Sequence, residues 1–230
     1  MIAHQGLSGI EPGNTNVAFI AAGNRSYYGI ETDIRKISDG EFAVIHDTTT
    51  TRATGGLVNV DVQMNTYDLL KEIVLPDKDG SVCRQDIRIP LLRDYIRTCK
   101  KYEKVGVLEI KDSLEKEDLQ NLIQMIEKED YLESIIFIAF DLNNCILLRE
   151  LLPKQRIQWL TKEELTEEMK ENLCQYKLDL DIFYERLTKE LVDELHANQV
   201  EVNCWTCDDV RKAEALVGMG VDYITSNILE

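Results

Sequence analysis

Short β-branched runs alternate with helix-patterned segments from one end of this 230-residue chain to the other, and no other feature constrains the fold as tightly. The sequence predicts extended runs at residues 2–4, 28–34, 42–46, 105–110, 134–139, 156–160, 178–182, 200–205 and 221–225. Between them, helical periodicity predicts helices at 15–22, 66–74, 91–102, 115–128, 143–152, 161–173, 188–197 and 208–219. Thr161 with Glu164 has the spacing of a capping box at the start of one of these. The count is about eight core strands with helices between most of them, which points to an α/β chain of (β/α)8 TIM-barrel class. No Pro- or Ser-rich linker divides it, so residues 1–230 read as a single domain. A doubly wound open sheet is the rival; it usually wants a Gly-rich phosphate turn after the first strand, and Gln5-Gly6-Leu7-Ser8-Gly9 lacks that spacing.

Composition narrows the partners. Hydrophobic residues make up 44% and charged residues 30%, as in ordinary globular chains. A net charge of −16 argues against nucleic acid and anionic membrane as partners, both of which need a basic face. An anionic small molecule remains compatible if a metal or a few local cations reverse the sign within one pocket. The longest apolar runs, 17–22 and 135–140, fall far short of the ~20 residues that span a bilayer. No stable membrane insertion is expected, and without a basic leader the expected location is cytoplasmic. The six cysteines are scattered and read as reduced thiols. Cys204-x-x-Cys207 has no second pair to complete a zinc set, and His196 lies in a separate helix as a surface residue. The charged run 161–171 reads as a solvated helix face, and the oligomeric state is not set.

Few residues can do chemistry. Of three histidines, His4 and His46 end predicted extended runs, and strand C-termini form the mouth of a barrel. Glu31 and Asp33 are two apart on one strand, so both face the same way with Cα atoms about 6–7 Å apart. Glu109 and Lys111 repeat that spacing. Unpaired carboxylates inside a barrel are costly, so either cations such as Arg35 and Lys111 pair them, or Glu31, Asp33 and Glu109 hold a hard divalent ion. Spacing alone leaves both readings open. The Glu31/Asp33 pair is a poor glycosidase dyad, and no GxSxG elbow is present.

The motifs in order are His4-Gln5-Gly6, Pro12-Gly13-Asn14-Thr15 with Ala18-Phe19, and Glu31-Thr32-Asp33-Ile34. Asp39-Gly40, His46-Asp47 and Arg52 follow, then Leu108-Glu109-Ile110-Lys111, Asn203-Cys204-Trp205-Thr206 and the closing Gly220-Val221-Asp222-Tyr223-Ile224-Thr225-Ser226. Together they resemble, nearly end to end, the glycerophosphodiester phosphodiesterases, whose segments run HRG, PENT-x-x-AF, E-x-D, DG, HD, R, LEIK, VWT and GVDGIITD. The resemblance implies a (β/α)8 barrel and hydrolysis of a glycerophosphodiester to glycerol 3-phosphate and an alcohol. It implies one divalent cation, Mg2+ or Ca2+, on Glu31, Asp33 and Glu109, with His4 and His46 as general acid and base. Gln5, Lys111, Arg52 and Trp205 are the implied substrate contacts.

Two positions depart from the family pattern. Gln5 stands where the family has Arg, which loses a bidentate charged fork toward phosphate. Arg52, Arg25 or Arg35 are the candidates to replace it. Gly13 stands where PENT has Glu, with Glu11 nearby as a substitute. These departures favour the alternative reading of a weak or inactive relative that acts as a binding module for glycerophosphodiesters. The intact acidic trio and both histidines favour an active enzyme.

Overall fold

The computed structural model describes all 230 residues. Its strands are β1 (Ile2–Ala3), β2 (Gly29–Lys36), β3 (Phe42–Val44), β4 (Val105–Ile110), β5 (Ile135–Ala139), β6 (Arg156–Thr161), β7 (Asp179–Phe183), β8 (Val202–Trp205) and β9 (Tyr223–Ser226). Its helices are α1 (Asn16–Gly23), α2 (Tyr67–Leu70), α3 (Leu92–Lys101), α4 (Lys116–Lys128), α5 (Leu142–Leu151), α6 (Glu167–Tyr176), α7 (Lys189–Ala197) and α8 (Val210–Met219). All strands but β3 run parallel in the order β1-β9-β8-β7-β6-β5-β4-β2, and β1 pairs back onto β2. The sheet is therefore a closed eight-stranded barrel, the predicted class. No helix is long and apolar enough to cross a membrane.

Strand alternation sorts the side chains into two cores. Ile2, Val107, Ile136, Ile138 and Leu160 point inward and plug the barrel. Their neighbours Ile30, Leu108, Phe137, Ile157, Leu180, Val202 and Ile224 point outward and meet Phe19, Leu119, Leu122, Leu148, Val192 and Leu216 of the helices in a cluster of 39 buried residues. Parallel strands covered on both faces in this way explain the near-continuous apolar runs in the sequence. Thr15, Asp141, Thr166, Thr188 and Asp209 cap their helices by accepting a first-turn N–H, each contributing about 1 kcal/mol.

Two expectations change, and a third element finds its place. Thr161 does not open a helix: it ends β6, its hydroxyl accepts from Glu163 N, and α6 begins after Thr166, whose hydroxyl accepts from Met169 N. The predicted helix 66–74 shrinks to the single turn α2, because Val74 bridges Arg88 in an extended pairing. The run 42–46 is extended, as expected, and lies outside the barrel. β3 folds back antiparallel on the end of β2, with Val44 opposite Ile34, and starts an excursion that returns to the barrel at α3. A separate cluster of 9 buried residues, among them Ile37, Ile45, Val62, Leu70, Ile87 and Ile89, holds that excursion together.

Candidate active site

The C-terminal ends of β2 and β4 bring the three acids together. Asp33 lies in register beside Glu109, and Glu31 sits opposite Val107, two residues earlier on the same inward face. Glu31, Asp33 and Glu109 are 3%, 1% and 8% exposed, and their carboxylate oxygens all lie within 4.8 Å of one another. Lys111 Nζ is 2.5 Å from Glu109 Oε1 and 3.5 Å from Asp33 Oδ1. Arg35 takes no part: it pairs with Asp112 and donates to the His46 carbonyl. One ammonium against three acids leaves the cluster short of positive charge.

The consequences appear in the acidities. Burial, with Asp33 and Glu109 alongside, pushes the Glu31 carboxyl well above the usual carboxylate range. Burial and Asp33 likewise raise Glu109. Burial also opposes ionisation of Asp33, but Lys111, His46 and the Asn14 amide outweigh it and hold Asp33 below its ordinary value. Asp33 Oδ2 accepts from both Asn14 Nδ2 and Gln5 Nε2 at 2.7 Å, and Glu31 Oε2 accepts from Gln5 N at 2.8 Å. Hard oxygen donors, close spacing, orienting amides and a shortage of cation make a set that fits a hard divalent ion.

Two imidazoles flank the acids. His4 Nε2 is 4.0 Å from Glu31 Oε2, and His46 Nε2 is 3.2 Å from Lys111 Nζ. Their tautomers follow from their partners. An ammonium only donates, so His46 Nε2 accepts from Lys111, and Nδ1 carries the proton toward Asp47 Oδ1 at 2.6 Å. The Arg52 guanidinium then grips Asp47 through Nε and Nη2, holding that carboxyl at about 2. On the other side, the Asp208 carboxylate accepts from Asn227 Nδ2 at 2.6 Å, which turns Asn227 Oδ1 toward His4 Nδ1 at 2.7 Å. An accepting Oδ1 requires the proton on His4 Nδ1. Ser8 Oγ donates to the same Oδ1 at 2.7 Å. Both rings thus carry a proton on Nδ1 and turn Nε2 to the cavity side.

The cavity they share has a volume of about 130 Å3 and is lined by His4, Glu31, His46, Glu109, Lys111, Asp181 and Trp205, with Ile138, Phe140 and Leu160 as apolar wall. A second cavity of about 190 Å3 adjoins it at His46 and is lined by Gln5, Gly13, Asn14, Asp47 and Arg52. Among the candidates to replace the family arginine, Arg52 alone lines a cavity. Arg25 pairs with the C-terminal Glu230, and Arg35 is committed to Asp112. Glu11 does not stand in for the missing PENT glutamate, because Arg84 holds its carboxylate at 3.0 Å. The two departures touch each other: a Cβ on Gly13 would lie 2.8 Å from Gln5 Oε1 and 3.1 Å from Gln5 Cβ. A side chain at position 13 would crowd Gln5 and require its amide to shift.

His46 reaches the mouth from the excursion after β3, not from a barrel strand. Asn227, Asp208 and Asp181 stand at the site without belonging to any motif in the sequence. Asn227 follows β9 directly, a strand-end signal available in the chain. Asp181 interrupts the outward Leu180/Ile182 alternation with an inward acid. Nothing local marks Asp208 as a partner of residue 227. His196 is an exposed partner of Asp222, and all six thiols are unpaired, with Cys204 and Cys207 buried.

The pattern described as the Glycerophosphoryl diester phosphodiesterase family matches residues 4–229. A glycerophosphodiester phosphodiesterase of Caldanaerobacter subterraneus subsp. tengcongensis is 29% identical over 229 residues, covering 99% of this chain and 93% of its own. One from Bacillus altitudinis is 28% identical, covering 97% of this chain and 92% of its own. Among solved structures, an Oleispira antarctica phosphodiesterase in complex with the product sn-glycerol-3-phosphate superposes with a TM-score of 0.89 at 23% identity, covering 98% of this chain and 92% of that one. A glycerophosphodiester phosphodiesterase from Parabacteroides distasonis gives 0.81 at 25% identity, covering 98% and 91%.

Proposed function

The chain belongs to the glycerophosphoryl diester phosphodiesterase family and is a phosphoric diester hydrolase, and from that premise we propose that it cleaves a glycerophosphodiester to glycerol 3-phosphate and an alcohol, with His4 and His46 as the acid–base pair and Glu31, Asp33 and Glu109 as ligands of one Mg2+ or Ca2+. The observation that carries this reading is the buried acidic trio, short of positive charge and flanked by two rings that turn Nε2 inward. Such an ion, when bound, neutralises phosphoryl oxygens and polarises phosphorus. Lys111 adds a fixed positive charge beside it. One imidazole, neutral, takes a proton at Nε2 from the attacking oxygen, and the other, entering the step as the imidazolium, delivers its Nε2 proton to the leaving alkoxide. Asn227 and Asp47 accept the Nδ1 protons and hold each ring with Nε2 toward the cavity. Gln5 and Asn14 orient Asp33, leaving Arg52 and Lys111 as the cations for the phosphate.

The test is release of glycerol 3-phosphate from glycerophosphocholine, with and without Mg2+ or Ca2+. Turnover should need the ion and should vanish in His46→Ala. The binding-module alternative draws on one observation, the engagement of the Gln5 amide with Asp33 in place of a free guanidinium. Metal binding without release from any of a panel of diesters would establish that alternative instead.

A further inference from the structure

Two cavities meet at His46, and the one of about 190 Å3 has none of the three clustered acids and no Lys111 in its lining. The reacting phosphoryl group belongs beside the acids, which leaves the second cavity for one arm of the diester. Gln5 stands between the two. Its Nε2 donates to Asp33 Oδ2 at 2.7 Å, while its side chain closes on the place where a Gly13 Cβ would stand. Oε1 receives no hydrogen bond, and unlike the partnerless atoms of Asn16, Tyr27, Asp181 and Trp205 it is not sealed from solvent. Residue 5 also holds φ at +54°, a left-handed conformation that glutamine adopts rarely. A strained residue at a site rim calls for a reason. Here the turn presents to the second cavity an open acceptor with nothing to accept.

The rest of the lining narrows what that arm is. Val44, Ile45, Leu75 and Ile89 form an apolar wall for a carbon skeleton. The charged side chains, Asp47 and Arg52, are paired with each other, so no net charge awaits an ammonium group. No phenyl or indole ring lines the cavity, so no π face is there to hold a quaternary ammonium. A neutral hydroxyl satisfies all of these conditions: its O–H donates to Gln5 Oε1 and its carbons lie on the apolar wall. We infer that Gln5 reads the leaving alcohol, and that the second cavity favours a diester whose alcohol carries a further hydroxyl over one ending in an ammonium or a plain alkyl group. This rests on the hydrolase reading above and adds the residue that selects the alcohol. A neutral hydrogen bond of this kind is worth about 2- to 12-fold.

The experiment measures glycerol 3-phosphate release, with Mg2+, from glycerophosphoglycerol, glycerophosphoethanolamine, glycerophosphocholine and the propyl ester of glycerol 3-phosphate. The chains are the wild type, Gln5→Met, which keeps the length and removes the acceptor, and Gly13→Ala, which keeps glutamine but displaces Oε1. In parallel, calorimetry measures binding of the same esters to His4→Ala, whose second cavity is unaltered, with and without Gln5→Met. In the wild type the glycerophosphoglycerol ester should have the highest kcat/KM of the four. Each variant should lower the ratio of that ester to the propyl ester by about five- to tenfold, a comparison in which the different leaving abilities of the two alcohols cancel. Gly13→Ala carries the test should Gln5→Met fail to fold. Variants that keep the wild-type ratio would overturn the inference and leave the hydrolase reading intact. A wild type that prefers the choline or ethanolamine ester would overturn it too, since the cavity would then be reading charge. If no chain cleaves any ester, but His4→Ala binds glycerophosphoglycerol over the propyl ester and loses that preference with Gln5→Met, the inference about the cavity stands and the hydrolase reading falls. No cleavage and equal binding would sink both.

Discussion

Replacing Asn227 with leucine keeps the volume near His4 but removes the acceptor for Nδ1–H and the donor to Asp208. The freed ring then distributes over two tautomers and two flips, and only one combination keeps the Nε2 lone pair facing Glu31. Recovering one state in four costs about 0.8 kcal/mol, and the lost hydrogen bond about 1 kcal/mol more, so kcat should fall roughly 20- to 30-fold. Asn227 does not line the cavity, so KM should stay within about threefold. The assay is glycerol 3-phosphate release at saturating glycerophosphocholine, with the 15N shifts of His4 recorded in parallel. Asp208→Asn leaves Asn227 in place but removes the obligate acceptor that orients its amide, and should fall between the two. A leucine variant with kcat within twofold of wild type, or one whose His4 keeps its proton on Nδ1, would refute the positioning argument.

Three further outcomes follow from the geometry. An ion that fills the acidic trio binds only the folded chain, so Mg2+ or Ca2+ at 100 times its Kd should add about 2.7 kcal/mol and raise Tm by about 5–10 °C over an EDTA-treated sample; Glu109→Ala should abolish the shift. Burial raises the Asp179 carboxyl to about 6 although Glu201 N donates to it, so its contribution to stability is full below pH ~4 and is lost as pH rises through 6; Asp179→Asn should therefore melt higher than wild type at pH 8 by an amount that shrinks toward pH 4, and a gap independent of pH would contradict this. Gln5→Arg exchanges an amide tied to Asp33 for a guanidinium able to meet phosphate, and should raise kcat/KM on glycerophosphocholine by about tenfold or more; an unchanged or lower rate would show a pocket rebuilt around glutamine.

Strand parity made much of this site legible before any coordinates. Glu31, Asp33 and Glu109 fall on inward positions of two barrel strands, and an alternating pattern carries that information locally. His4 is equally local, at the end of β1. His46 was readable as a residue but not as a placement, because an antiparallel fold-back and a parallel barrel strand share the same short apolar signature until pairing decides between them. Thr161 and Thr166 show the same limit at a helix start: both precede Glu-rich turns, and β6 consumes the first. The contacts that set the chemistry of the rings, Asn227 with Asp208 and Gly13 against Gln5, join residues far apart or across a turn. They depend on how the closed sheet brings its rim together, which no local window of sequence contains.

The two imidazoles belong to bodies of unequal strength. His4 is rooted in the barrel, whose helix-facing core has 39 buried residues, whereas His46, Asp47 and Arg52 ride on an excursion held by a cluster of 9. Local opening runs first through the weaker unit. On the proposed mechanism, warming should therefore carry His46 away from a barrel that is still intact, so that activity is expected to be lost at a lower temperature than global unfolding.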